Sequence, residues 1–119
     1  MSALEPRRLL RKTTKQLTAV GTSDTLLFDQ VPHGEQWFVD WVACMDSTTA
    51  ITSWYSFIRT ASGDYPIKQS ADTTVSHRHA QQIQTWLTEG EQFGVVIVGA
   101  TAADDLYAWL TGHYREVES

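Results

Sequence analysis

The sequence predicts an all-β chain: a single-domain antiparallel β-sandwich, jelly-roll-like, of about eight strands with an extended N-terminal arm. Three observations carry this. Apolar and polar residues alternate with period two over residues 36–45, 51–58 and 106–114, the spacing that puts successive side chains on opposite faces of a strand. Clusters of Gly, Pro, Asp and Ser punctuate these runs, where the chain must turn. No run is both long and helically periodic enough to form a major helix.

The elements follow in order. Residues 1–11 contain Pro6 and mixed charge without a period, and read as an arm; the sandwich domain spans 12–119. The Thr-rich run 13–20 suits a strand. Residues 21–24 are a turn cluster, and 25–29 a short strand. Val31-Pro-His-Gly34 is another turn, with a proline that cannot join a central ladder. In 36–45, Trp37, Val39, Trp41 and Ala43 share one face, expected to be buried. Gln36, Phe38, Asp40, Val42 and Cys44 share the other, and Asp40 marks that face as partly covered. Residues 51–60 form a strand and 61–64 a hairpin turn; 65–69, with Pro66, form an edge strand. Residues 70–81 are polar and read either as loop or as a strand beginning near Val75. Strands at 82–88 and 93–98, and a closing strand from Leu106, complete the count.

A chain of 119 residues holds one core. Five Trp, four Tyr and four Phe give it enough aromatic area for both a core and a contact surface. The lone Cys44 excludes an internal disulfide, and its apolar setting fits a small buried hydrophobe better than a reactive thiol. Leu9-Leu10 before Arg11-Lys12 is too short for a signal h-region. No stretch approaches the ~20 apolar residues of a membrane span. The chain is therefore expected to stay in the cytoplasm where it is made, with no membrane partner.

The net charge of −5 is unevenly spread: residues 1–15 carry five cations against Glu5, whereas residues 16–119 carry four against thirteen carboxylates. A basic arm on an acidic body suits an acidic protein neighbour. Nucleic acid is disfavoured, because the body is acidic and the aromatics are not interleaved with the cations along the sequence.

The ordered motifs Val31-Pro-His-Gly34, the aromatic strand from Trp37 to Asp46, Gly63-Asp64, Leu87-Thr-Glu-Gly-Glu91 with Phe93, and the terminal strand running from Leu106 through Gly112 to Glu116 resemble small bacteriophage virion proteins of β-sandwich or jelly-roll type. The resemblance covers roughly residues 25–117. Met45-Asp46 stands where that family usually has Asn, and its members do not typically carry His-x-His. The resemblance implies a capsid decoration or cement protein, a head fibre or a tail component. Its partners would be the major capsid protein or neighbouring copies, in a homo-oligomer or symmetric assembly. Such a protein is made in the host cytoplasm and ends in the virion. It needs no cofactor and is not an enzyme. A receptor- or carbohydrate-binding jelly-roll module of a tail or fibre is the alternative.

A small cupin-like metalloprotein is a third reading. It would rest on His77 and His79, which alternate and could chelate a metal from one strand face. Gln84 stands near the position of a carboxylate ligand, and only His113 is available for a second motif, so no metal site is assigned. Asp104-Asp105 could hold a cation with Asp72 or Glu91 but is the ordinary composition of a solvated turn. No catalytic residues are assigned. The expected partner-binding residues are Arg7, Arg8, Arg11 and Lys12 of the arm. With them stand Trp54 and Trp109, each opposite the apolar set of its own strand, so that one of them is expected to face a partner.

Overall fold

In a computed structural model, residues 8–16, 18–70 and 79–117 are described, and the alternation resolves into eight strands. They are β1 (Arg8–Gln16), β2 (Ser23–Gln30), β3 (Glu35–Asp46), β4 (Ser53–Thr60), β5 (Gly63–Ser70), β6 (His79–Leu87), β7 (Gln92–Val98) and β8 (Leu106–Glu116). Two four-stranded sheets form, in the orders β1-β8-β3-β6 and β2-β7-β4-β5, with every pairing antiparallel. This double Greek-key order is that of a jelly roll. There is no helix among the described residues.

The core is built from the inward rows of both sheets. Val39, Val42, Cys44, Leu106, Ala108 and Leu110 come from the first sheet; Leu26, Phe28, Trp54, Phe93, Val95 and Ile97 come from the second. Phe28 and Phe93 meet across β2 and β7 with ring centroids 6.3 Å apart. Burial pushes the Cys44 thiol well above its usual range, so the cysteine behaves as the small hydrophobe its setting suggests.

The loops close the two ends with polar locks. At one end the buried Asp24 carboxylate accepts from Gln16 Nε2 (2.7 Å), Val20 N (2.7 Å) and Gly21 N (3.1 Å). Beside it, the buried Asp46 accepts from the N–H groups of Thr48 and Thr101, both at 3.0 Å, and from the Thr49 hydroxyl at 3.1 Å. At the other end, the Val31 and Gly90 backbones bond to the opposing turn: Val31 N donates to Glu91 O, and Gly90 N to Val31 O.

Two sequence expectations change. The sandwich begins at Arg8, four residues before the expected boundary at Lys12. Residues 8–11 pair in register with 114–111 of β8, and Leu10 enters the core at 3% exposure. The charges around Leu10 hid its strand period, because an edge strand tolerates cations on its open side. The second change is in β3. The expected buried face, Trp37 to Ala43, holds only as far as Val39. A bulge at Asp40 then shifts the register on both sides, so Val42 and Cys44 turn inward and Trp41 turns out. An extra residue reverses the alternation beyond it. The bulge depends on Gly112 of β8, opposite Val39: a Cβ there would overlap the Phe38 carbonyl oxygen.

Candidate functional site

Outward-facing side chains of the first sheet form cross-strand rows, because paired residues of an antiparallel sheet share a face. One row is Leu9, His113, Phe38 and Trp86; the next is Arg11, Thr111, Trp41 and Gln82; the third is Thr13, Trp109, Ala43 and Ala80. Lys15, Tyr107 and Met45 follow. Leu9 is 65% exposed, Trp41 45% and Trp86 38%. The first row is knit by rings. Phe38 stacks on His113 at 4.9 Å and meets Trp86 edge-on at 5.1 Å. The Arg115 guanidinium lies 4.8 Å over the Trp86 ring, held by a 2.9 Å hydrogen bond from its Nε to Gln36 Oε1. Lower on the face, Trp109 stacks on Tyr107, their centroids 6.3 Å apart and their planes at 17°.

Between Trp41 and Trp109 lies a concavity of about 270 Å³ floored by Val42, Ala43 and Thr111. Its origin is local. Each indole stands directly opposite a small residue: Trp41 is paired with Thr111, and Trp109 with Ala43. The two large side chains are therefore diagonal neighbours, with a notch between them. Arg11, exposed on β1, is next in line beyond Thr111.

The sequence-predicted residues divide. Arg8, Arg11 and Lys12 all lie on β1, the edge strand of this sheet; Arg7 falls outside the described residues. Arg8 sits 3.8 Å from Glu116, and its guanidinium is held above its usual range by a hydrogen bond with Tyr114 and then by that carboxylate. Lys12 turns inward at the rim, with Nζ 5.3 Å from the centroid of the buried Trp37 ring. Trp109 is on the outward face as expected. Trp54 is not a surface residue: it is 0% exposed, on the inward row of β4 opposite Ile97. Its partner-contact assignment is corrected to a core role. Of the two opposed tryptophans, the one on β8 faces out.

His77 lies outside the described residues. His79 is buried on the inner side of β6, paired with Cys44. Among the described residues no group of three His, Cys, Asp or Glu could hold a metal. Asp104 accepts hydrogen bonds from the Thr48 and Thr49 hydroxyls. Glu91 accepts from Thr88 N at 2.7 Å in the turn that precedes β7, whereas Asp104 lies in the loop that follows it. The two carboxylates are thus at opposite ends of that strand and form no shared cation site.

Strand pairing also interleaves what the sequence keeps apart. Arg11 and Lys15 of β1 stand beside Thr111 and Tyr107 of β8, in the rows that contain Trp41 and the Tyr107 ring. Sequence reasoning missed Trp41 because nothing in the local pattern marks the Asp40 bulge; the paired Gly112 is its one trace.

No family model matches the sequence, and no curated protein is detectably similar to it. Solved structures share the fold. The chain is similar to the PRD1 vertex protein P5 at 7% identity and a TM-score of 0.50, covering 91% of this chain and 96% of that one. It is similar to a putative alpha-L-fucosidase of Bacteroides thetaiotaomicron at 10% identity and a TM-score of 0.50, covering 83% of this chain but 21% of the fucosidase. The Drosophila NLP core, described with pentamer formation and histone binding, aligns at 16% identity and a TM-score of 0.49, over 91% and 98% of the two chains. At these identities the likeness to the vertex protein and to the fucosidase segment is one of fold alone.

Proposed function

We propose that the chain is a structural protein of a bacteriophage virion, a capsid decoration or cement protein that acts through repeated protein–protein contacts and performs no catalysis. The observation that carries this reading is the polarity of the sandwich. Arg8, Arg11, Lys12 and Lys15 gather on one edge strand, while the rest of the chain is acidic. An edge of this kind suits an acidic neighbour, whether the shell protein or another copy of the chain. Single exposed ion pairs contribute at most about 1 kcal/mol, but symmetry repeats them across an assembly. The jelly roll shared with the PRD1 vertex protein over nearly its whole length supports the reading.

The test is a count of copies in purified particles by quantitative mass spectrometry, followed by adding the purified chain to particles that lack it. Stoichiometric presence, and saturable re-addition that weakens as salt rises, are expected. A chain absent from the particles, or present only in traces, overturns the proposal.

A further inference from the structure

We propose that the notch between Trp41 and Trp109 binds one ring of an acidic saccharide, a pyranose bearing a carboxylate. This goes beyond the virion role and does not depend on it.

Three features of the notch point to this ligand. First, its walls are indoles, and its capacity, about 270 Å³, suits a single six-membered ring; ligand sites start near this size. A pyranose offers a face of C–H bonds to such a surface and keeps its hydroxyls at its rim. Second, a hydroxyl lies in the notch and polar side chains flank its two walls. Thr111 forms part of the floor, Thr13 stands opposite Trp109, and Gln82 stands opposite Trp41. Third, a cation is placed for the carboxylate. Arg11 is exposed, one strand beyond Thr111 and two strands from Trp41, a span of roughly 10 Å at ordinary strand spacing. An arginine and a ring-sized ligand together bridge that span, and a guanidinium pairs well with a planar carboxylate.

Other occupants fit less well. A second copy packed face to face would bring together two surfaces that each carry Arg11, Lys15 and Arg115 against Asp40 of the bulge. Such like-charge juxtaposition disfavours pairing. A single-stranded nucleic acid could stack on the indoles and meet the three cations of this face, but a strand long enough to run past them reaches the acidic remainder of the chain, where residues 16–119 carry thirteen carboxylates against four cations. Repulsion there grows with every phosphate, whereas a single sugar carboxylate needs only one arginine.

The experiment titrates the full chain at low salt and follows tryptophan fluorescence and calorimetric heat. The probes are sialyllactose, a galacturonate trisaccharide, the neutral sugars lactose and maltotriose, and a thymidine decanucleotide. At least one acidic saccharide should bind saturably, about two- to fivefold more tightly than the neutral ones, the range expected of one exposed ion pair. Trp41→Ala should weaken that binding about tenfold. Ala43→Leu, which fills the notch but leaves both indoles, should do the same. Arg11→Gln should abolish the preference for the acidic sugars while leaving neutral binding in place. All three variants should keep the wild-type melting temperature within a few degrees, which separates loss of the site from loss of the fold. The proposal is overturned if no acidic saccharide binds at about 10 mM, well above the weak-binding range. Equal affinity for lactose, tighter binding of the decanucleotide, or undiminished binding by both Trp41→Ala and Ala43→Leu would overturn it as well.

Discussion

Two outward-pointing aromatic residues, Phe57 on the second sheet and Trp41 on the first, end in opposite states. On the second sheet, Phe57 points outward yet is only 2% exposed. It lies across Gly94 of β7, so closely that a Cβ on that glycine would come within 2.5 Å of the Phe57 ring. Leu27 of β2 flanks the same glycine, and Arg59, held by Asp64 at 2.9 Å, covers the ring from 5.6 Å. On the first sheet Trp41 also points outward, but its cross-strand neighbours are Thr111 and Gln82. It remains 45% exposed. An aromatic residue placed beside a glycine is folded down onto the sheet and contributes to stability. One placed beside small polar residues stands open and is left for a partner.

The most direct way to break this comparison is to truncate both rings. Phe57→Ala should destabilise the fold by about 3 kcal/mol, the usual cost of removing a buried aromatic side chain. Trp41→Ala should stay within about 0.5 kcal/mol of the wild type, as surface substitutions do. Urea unfolding of the two variants checks this. Equal losses would mean that the open face is as much part of the fold as the closed one.

Gly112 sharpens the comparison, because it supports the bulge that turns Trp41 outward. Gly112→Ala should cost about 1–3 kcal/mol, the range for a forced backbone shift. It should also alter the tryptophan emission, since the Phe38–Asp40 segment has to move. A variant with wild-type stability and unchanged emission would show that the bulge stands without the glycine.

These two positions also mark what was legible in the sequence. The sandwich was, since period-two alternation and turn clusters located most strands to within a few residues; β1, read at 13–20, runs from Arg8 to Gln16. The edge character of β5 followed from Pro66, and of the two tryptophans placed opposite their strands' apolar sets one, Trp109, does face out. Two things were hidden. A single extra residue at Asp40 reversed half of β3, and the alternating pattern on both sides of it still looked continuous. The burial of Trp54 depended on which sheet its strand joined and which row met Ile97, a matter of long-range pairing that local periodicity does not encode. The mixing of Arg11 and Lys15 with the aromatic face had the same cause: residues about a hundred positions apart become neighbours only when β1 pairs with β8.

The polar lock at one end of the sandwich should respond to pH. Burial alone would raise the Asp46 carboxyl, but the Thr48 N–H, the contact with Asp104, the Thr101 N–H and Thr49 outweigh it and hold the group below its usual range. A carboxyl lowered in the folded state contributes stability that is present above its unfolded pKa. That contribution is lost as pH falls through the folded value. Stability should therefore decline on acidification below the ordinary aspartate range. Asp46→Asn, which cannot ionise, should flatten this part of the profile and cost about 1–2 kcal/mol at neutral pH. Melting curves across the acid range for both proteins test it, and parallel profiles would remove Asp46 as the source.

The smallest expected effect on stability concerns the charged edge. Strand β1 borders the open face, and among the described residues β8 is its only partner within the sheet, which leaves its other side an edge. Open edges invite strand pairing between molecules, and exposed cations are a common way to prevent it. Arg11 and Lys15 both point outward on this edge and make little contact with the core, so Arg11→Gln with Lys15→Gln should change stability by less than about 0.5 kcal/mol. Removing two of the cations that oppose edge-to-edge pairing should nevertheless raise self-association by that route. Light scattering over a concentration series, at low and at high salt, reads this directly. Salt screens the wild-type charges, so the wild type should drift toward the double variant as ionic strength rises. If the double variant stays as monodisperse as the wild type at every concentration, the cations do not guard the edge. Their clustering on β1 would then be explained by attraction to a partner alone.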